Sequence, residues 1–144
     1  MKFRNEIENA TIIKAADLVT KHYKDDIFLA RICAINSFEF SKANGPGVAV
    51  AILNSTITMR IKQYKTFNPW SKVIGYASGN TIYCNSRKFD LPLYDRVNNF
   101  MHEPLHLLGF IHSGNYATGK NLDSVPYKVG AIFEQYVREI YGDL

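Results

Sequence analysis

Three of the four histidines lie within one eleven-residue run, His102-Glu103-Pro104-Leu105-His106-Leu107-Leu108-Gly109-Phe110-Ile111-His112. Their spacing restricts the backbone more than any other feature of the chain. On an α-helix His102 and His106 stand about one turn apart on one face, so both imidazoles can reach a single ion. Were that helix to continue, His112 would lie about 15 Å further along the axis than His102, beyond reach of the same ion. Gly109 resolves the conflict, because glycine readily takes the left-handed conformation that ends helices. The spacing therefore predicts a helix through Leu108, a stop at Gly109 and a return that carries His112 back.

The residue types then point to a chemistry. Three neutral imidazoles leave the fourth tetrahedral position of zinc open to water, which distinguishes a catalytic site from a closed structural one. Glu103 lies about 60° around the helix from His106, close enough to approach such a water without being a ligand. The expectation is that zinc makes the water acidic and polarises a peptide carbonyl. Glu103 takes the proton and delivers it to the leaving amine. The plainer alternative makes His102 and Glu103 ordinary polar residues of a surface helix; the third histidine and the glycine argue against it.

Along the rest of the chain, Ile12, Ala16, Val19 and Tyr23 mark one stripe of an amphipathic helix from about Glu8 to Tyr23, with His22 a surface residue near its positive-tolerant end. The apolar run Ile27 to Ile35 predicts a buried strand, and Asn44-Gly45-Pro46-Gly47 a turn or loop. Strict alternation over Thr56 to Lys62 predicts a half-exposed strand with Ile57, Met59 and Ile61 inward. Val73 to Ala77 and Thr81 to Asn85 read as two short strands joined at Ser78-Gly79-Asn80. Pro92 suits a helix start; Ser113 to Asp123 is a polar loop that would border the site, and Val125 to Tyr141 a last helix.

At 144 residues, 47% hydrophobic and 21% charged, the chain fits one globular domain over residues 1–144. The net charge of +4 comes from basic residues read as scattered, which favours a solvated surface over nucleic-acid binding. The opening residues run into a helix without a leader-like apolar stretch, and no segment has the length to span a bilayer, so no membrane partner is expected. The expected setting is the cytosol, or release without a cleaved signal, and the expected state a monomer. Cys33 and Cys84 read as two buried thiols, with a single disulfide the other option.

The run from His102 to His112 resembles the signature of the metzincin clan of zinc metallopeptidases, His-Glu-x-x-His-x-x-Gly-x-x-His, at every fixed position. The order of an early helix, a mixed sheet, a motif helix and a C-terminal helix is similar as well. The resemblance implies a small α+β domain with a mixed twisted sheet and an exposed edge strand. It implies one zinc ion held by His102, His106 and His112, with Glu103 as general base of a metalloendopeptidase. A peptide or protein substrate would lie antiparallel to the edge strand, here Val73 to Ala77 by position.

Two positions depart from the clan. Ser124-Val125-Pro126-Tyr127 is similar to the Ser-x-Met-x-Tyr turn below the metal in several subfamilies, with Val125 in the methionine's place as an apolar floor. Tyr127 then matches a tyrosine that faces the metal and stabilises an oxyanion, or it is a core or helix-capping aromatic. Pro104 sits inside the motif helix, where it removes one hydrogen bond and costs about 3 kcal/mol, so a kink is expected. The alternative to a peptidase is a catalytically weak zinc-binding domain that recognises a peptide or protein partner.

Overall fold

The computed structural model describes residues 1–143. Among them four strands, β1 (Lys2–Asn5), β2 (Thr58–Tyr64), β3 (Gly75–Ser78) and β4 (Thr81–Asn85), form one sheet in the order β1-β2-β4-β3. β1, β2 and β4 run parallel and β3 is antiparallel to β4 at the edge, so the sheet is mixed. Five helices complete an α+β fold: α1 (Ala10–His22), α2 (Asp26–Cys33), α3 (Gly45–Leu53), α4 (Leu93–Leu107) and α5 (Val125–Tyr141).

The strand alternation places Met59 and Ile61 in the core while Arg60 is exposed, as the period of two requires. β4 adds Ile82 and Cys84 to the same face. From α4, Val97, Phe100, Met101 and Leu105 are fully buried, and α5 meets them with Val129, Phe133 and Val137. Phe133 stands edge-on to Phe28 of α2 with ring centroids 4.9 Å apart, which ties α2 to the same core. A small residue lets α4 and α5 approach: a Cβ on Gly130 would come within 2.7 Å of Asn98 Oδ1.

Several expectations are corrected. Residues 27–35 are not a strand but mostly helix α2, whose Phe28 and Ile32, one turn apart, are buried. The apolar run was short enough to suit either element, and the helical spacing of its two largest buried residues decides. Asn44-Gly45-Pro46-Gly47 is the start of α3, not a turn or loop. Asn44 caps it by accepting from the Gly47 N–H at 2.9 Å, and Gly45 is required because a Cβ there would meet the Ile32 carbonyl oxygen at 2.1 Å. β1 precedes α1, so the opening residues do not lead straight into a helix.

Cys33 is exposed at the end of α2, and both cysteines are free thiols; only Cys84 is buried. His22 is also buried, not a surface residue. Its Nδ1 lies 2.6 Å from Asp25 Oδ2 and its Nε2 2.7 Å from the Tyr141 hydroxyl, while Tyr136 donates to Asp25 Oδ2 at 2.7 Å. This cluster clasps the end of α1 to the start of α2 and to α5.

Candidate metal centre

α4 carries His102, Glu103 and His106 in continuous helix through Pro104, which is buried, so the proline does not end the element. The Pro104→Leu variant is expected to restore one backbone donor and raise stability by about 1–3 kcal/mol without loss of metal. Thermal denaturation of the metal-loaded protein checks this, and a lower melting temperature would count against it.

The helix stops as the sequence requires. Gly109 has φ +92°, its N–H donates to the His106 carbonyl at 3.1 Å, and the Phe110 N–H donates to the Leu105 carbonyl at 3.2 Å. That pair of bonds is the Schellman arrangement, and Phe110 supplies the apolar contact that accompanies it by packing on the core. The same turn has a chemical effect. The Phe110 carbonyl lies 2.9 Å from His106 Nδ1, so Nδ1 carries the proton and donates, leaving the Nε2 lone pair free.

Beyond the turn, His112 returns to the other two histidines. His102 Nε2 lies 3.2 Å from His106 Nε2 and 3.2 Å from His112 Nε2. Donor atoms on a tetrahedral ion at about 2.1 Å from each stand about 3.4 Å apart, so the spacing suits a shared cation. The three imidazoles can hold a metal ion. Burial first, then the neighbouring His106 and His112, lowers the pKa of His102 to about 3, which keeps it in the neutral, ligating form.

The path of His112 is fixed by a residue the sequence did not single out. Asn121, buried within the 3₁₀ turn Gly119–Asp123, accepts from the Ser113 N–H at 2.9 Å and donates to the carbonyls of Ser113 and Tyr116. The Ser124 hydroxyl in turn donates to the Asn121 carbonyl at 2.6 Å. The segment from Ser113 to Asp123 is thus bonded to itself at its base.

Glu103 is half-buried beside the histidines, and burial pushes its carboxyl up to about 7 despite a 3.2 Å hydrogen bond donated by Asn99. Asn99, one turn earlier on α4, is the second residue that sequence reasoning missed. Tyr127, in the first turn of α5, places its ring 4.5 Å from that of His102 and 4.6 Å from that of His112, centroid to centroid. Its hydroxyl is raised above the usual phenol value by burial and then by Glu103. Val125 is fully buried at the start of the same helix. The structure therefore brings together His102, His106, His112, Glu103 and Tyr127.

Compared with protein-family models, with curated proteins and with solved structures, the chain matches none. No helix among the described residues is long and apolar enough to cross a membrane.

Proposed function

We propose that this chain is a zinc-dependent metallopeptidase of the metzincin kind, hydrolysing peptide bonds in a peptide or protein substrate. The observation that carries the reading is the convergence of three imidazole Nε2 atoms with a half-buried, non-ligating carboxyl one residue from the first of them. An all-imidazole donor set suits zinc. When bound, the ion supplies Lewis-acid polarisation and a nucleophile at neutral pH.

The remaining chemistry falls to side chains. Glu103 accepts a proton from the attacking water as its oxygen bonds to the carbonyl carbon, then passes that proton to the amine as the C–N bond breaks. Asn99 holds one oxygen of this carboxylate, leaving the other to face the reacting water. Tyr127 stands against two of the three imidazoles and donates to the oxyanion that develops on the carbonyl. The free edge of β3 offers the main-chain donors and acceptors that align an extended peptide.

Cleavage of a broad peptide library by the zinc-loaded protein, lost on chelation and recovered with zinc, tests the proposal. Absence of cleavage with zinc retained would instead support a domain that binds a peptide or protein without cutting it. Tyr127→Phe separates the two roles of that ring: kcat is expected to fall about 10²-fold with zinc content and KM unchanged. Steady-state kinetics would contradict the oxyanion role if only metal affinity fell.

A further inference from the structure

The ten residues joining β2 to the edge strand β3, Lys65 to Ile74, present an unusual surface. Phe67 is 102% exposed and Trp70 is 85% exposed, so both rings stand clear of the rest of the molecule. Val73 and Tyr76 extend the exposed apolar surface along the chain into β3. Exposed aromatic surface of this extent costs hydration free energy unless something covers it.

The loop is not held open by lack of internal bonding. Asn85, fully buried in β4, donates to the Val73 carbonyl at 2.7 Å and to the Thr66 hydroxyl at 3.3 Å, joining the two ends of the loop. Arg87 donates to the Thr66 carbonyl at 2.9 Å. At the tip, the Trp70 N–H donates to the Asn68 side chain at 2.9 Å, and the Ser71 N–H to the Asn68 carbonyl at 3.1 Å. The aromatic rings take no part in these bonds, so the frame presents them outward without relying on them.

Charge indicates what would cover them. No Asp or Glu occurs between Glu39 and Asp90, while seven of the 17 basic residues do. The basic residues are therefore segregated, not scattered: the rest of the chain holds ten basic against thirteen acidic side chains. Lys65 and Lys72, which flank the two aromatic rings, are exposed, and neither enters an ion pair among the described residues.

We propose that the loop Lys65 to Ile74 docks the protein on an anionic lipid surface, with Phe67 and Trp70 entering the interface and Lys65 and Lys72 facing the headgroups. Rings free on all sides need an occupant that envelops them, and a fluid interface does so without a preformed pocket. Trp and Phe flanked by lysines have the amphipathic character that settles at the boundary of headgroup and acyl chain. Single-stranded nucleic acid, which also stacks on open aromatic rings, is the competing occupant that an oligonucleotide distinguishes. Tyr76, stacked on Tyr83 with ring centroids 4.7 Å apart, does not extend the open platform. The docking is peripheral and independent of the peptidase reading.

Trp70 is the sole tryptophan, so its emission reports the loop directly. The full chain is titrated with vesicles of phosphatidylcholine, with vesicles containing phosphatidylglycerol in addition, and with a single-stranded oligonucleotide. The expected result is a shift of Trp70 emission to shorter wavelength, and co-sedimentation, with the anionic vesicles alone. Lys65→Gln and Lys72→Gln are each expected to weaken partitioning about fivefold, and Phe67→Ala to reduce the emission shift. Trp70→Ala, followed by sedimentation, is expected to lose most of the binding; since both rings are exposed, neither aromatic variant should unfold the protein. No partitioning, equal partitioning by wild type and Trp70→Ala, or an emission shift with the oligonucleotide and not the vesicles would each overturn the proposal.

Discussion

Glu103→Gln is expected to lower peptide cleavage by about 10²–10⁴-fold, the contribution of a positioned general base, while the protein keeps one equivalent of zinc. The substitution leaves the three converging imidazoles untouched and preserves the side-chain shape. The amide can still accept from Asn99, so the local packing has no reason to change. Burial already opposes the charged carboxylate, raising its pKa to about 7, so the neutral amide should not destabilise the fold. Parallel measurement of turnover, zinc content and melting temperature checks all three. Activity close to wild type would remove Glu103 from the mechanism.

His112→Ala is expected to act on the other half of the site. His112 reaches the other two histidines only because the chain turns at Gly109, and its removal would leave two helical imidazoles to hold an ion. Zinc affinity should fall at least 10²-fold, since loss of supporting residues alone costs 10–100-fold at such sites. Zinc at one hundred times its dissociation constant stabilises the folded wild type by about 2.7 kcal/mol, so chelation should lower its melting temperature by roughly 5–10 °C. At the same zinc concentration His112→Ala should keep no more than about 0.4 kcal/mol of that stabilisation, a shift of roughly 1–2 °C. A chelator-induced shift as large as that of wild type would show that His112 is not a ligand.

How far the sequence revealed the site depends on whether a residue's role shows in its spacing. His102, His106, Gly109 and His112 define a helix, a stop and a return by arithmetic alone, and the Schellman turn at Gly109 supplies the stop. Tyr127 was identified through a family resemblance, and its ring stands against two of the histidines. Asn99 and Asn121 carry no periodic signal: an asparagine that braces a carboxylate or pins a loop looks in sequence like any polar residue. The same limit explains α2, whose eight residues are too few for apolar spacing to separate helix from strand. His22 does not show as buried in the sequence because the Tyr141 hydroxyl that bonds its Nε2 lies more than a hundred residues away. The charge segregation was visible in the sequence, but it lies in the absence of acidic residues over half a hundred positions, not in any basic cluster.

The central claim is an open three-histidine zinc site, and X-ray absorption at the zinc edge of the zinc-loaded protein tests it most directly. The account predicts one zinc per chain with three imidazole donors and one further light atom at about 2.0–2.1 Å, and no sulfur. A sulfur neighbour near 2.3 Å, fewer than three imidazoles, or no retained zinc would contradict it.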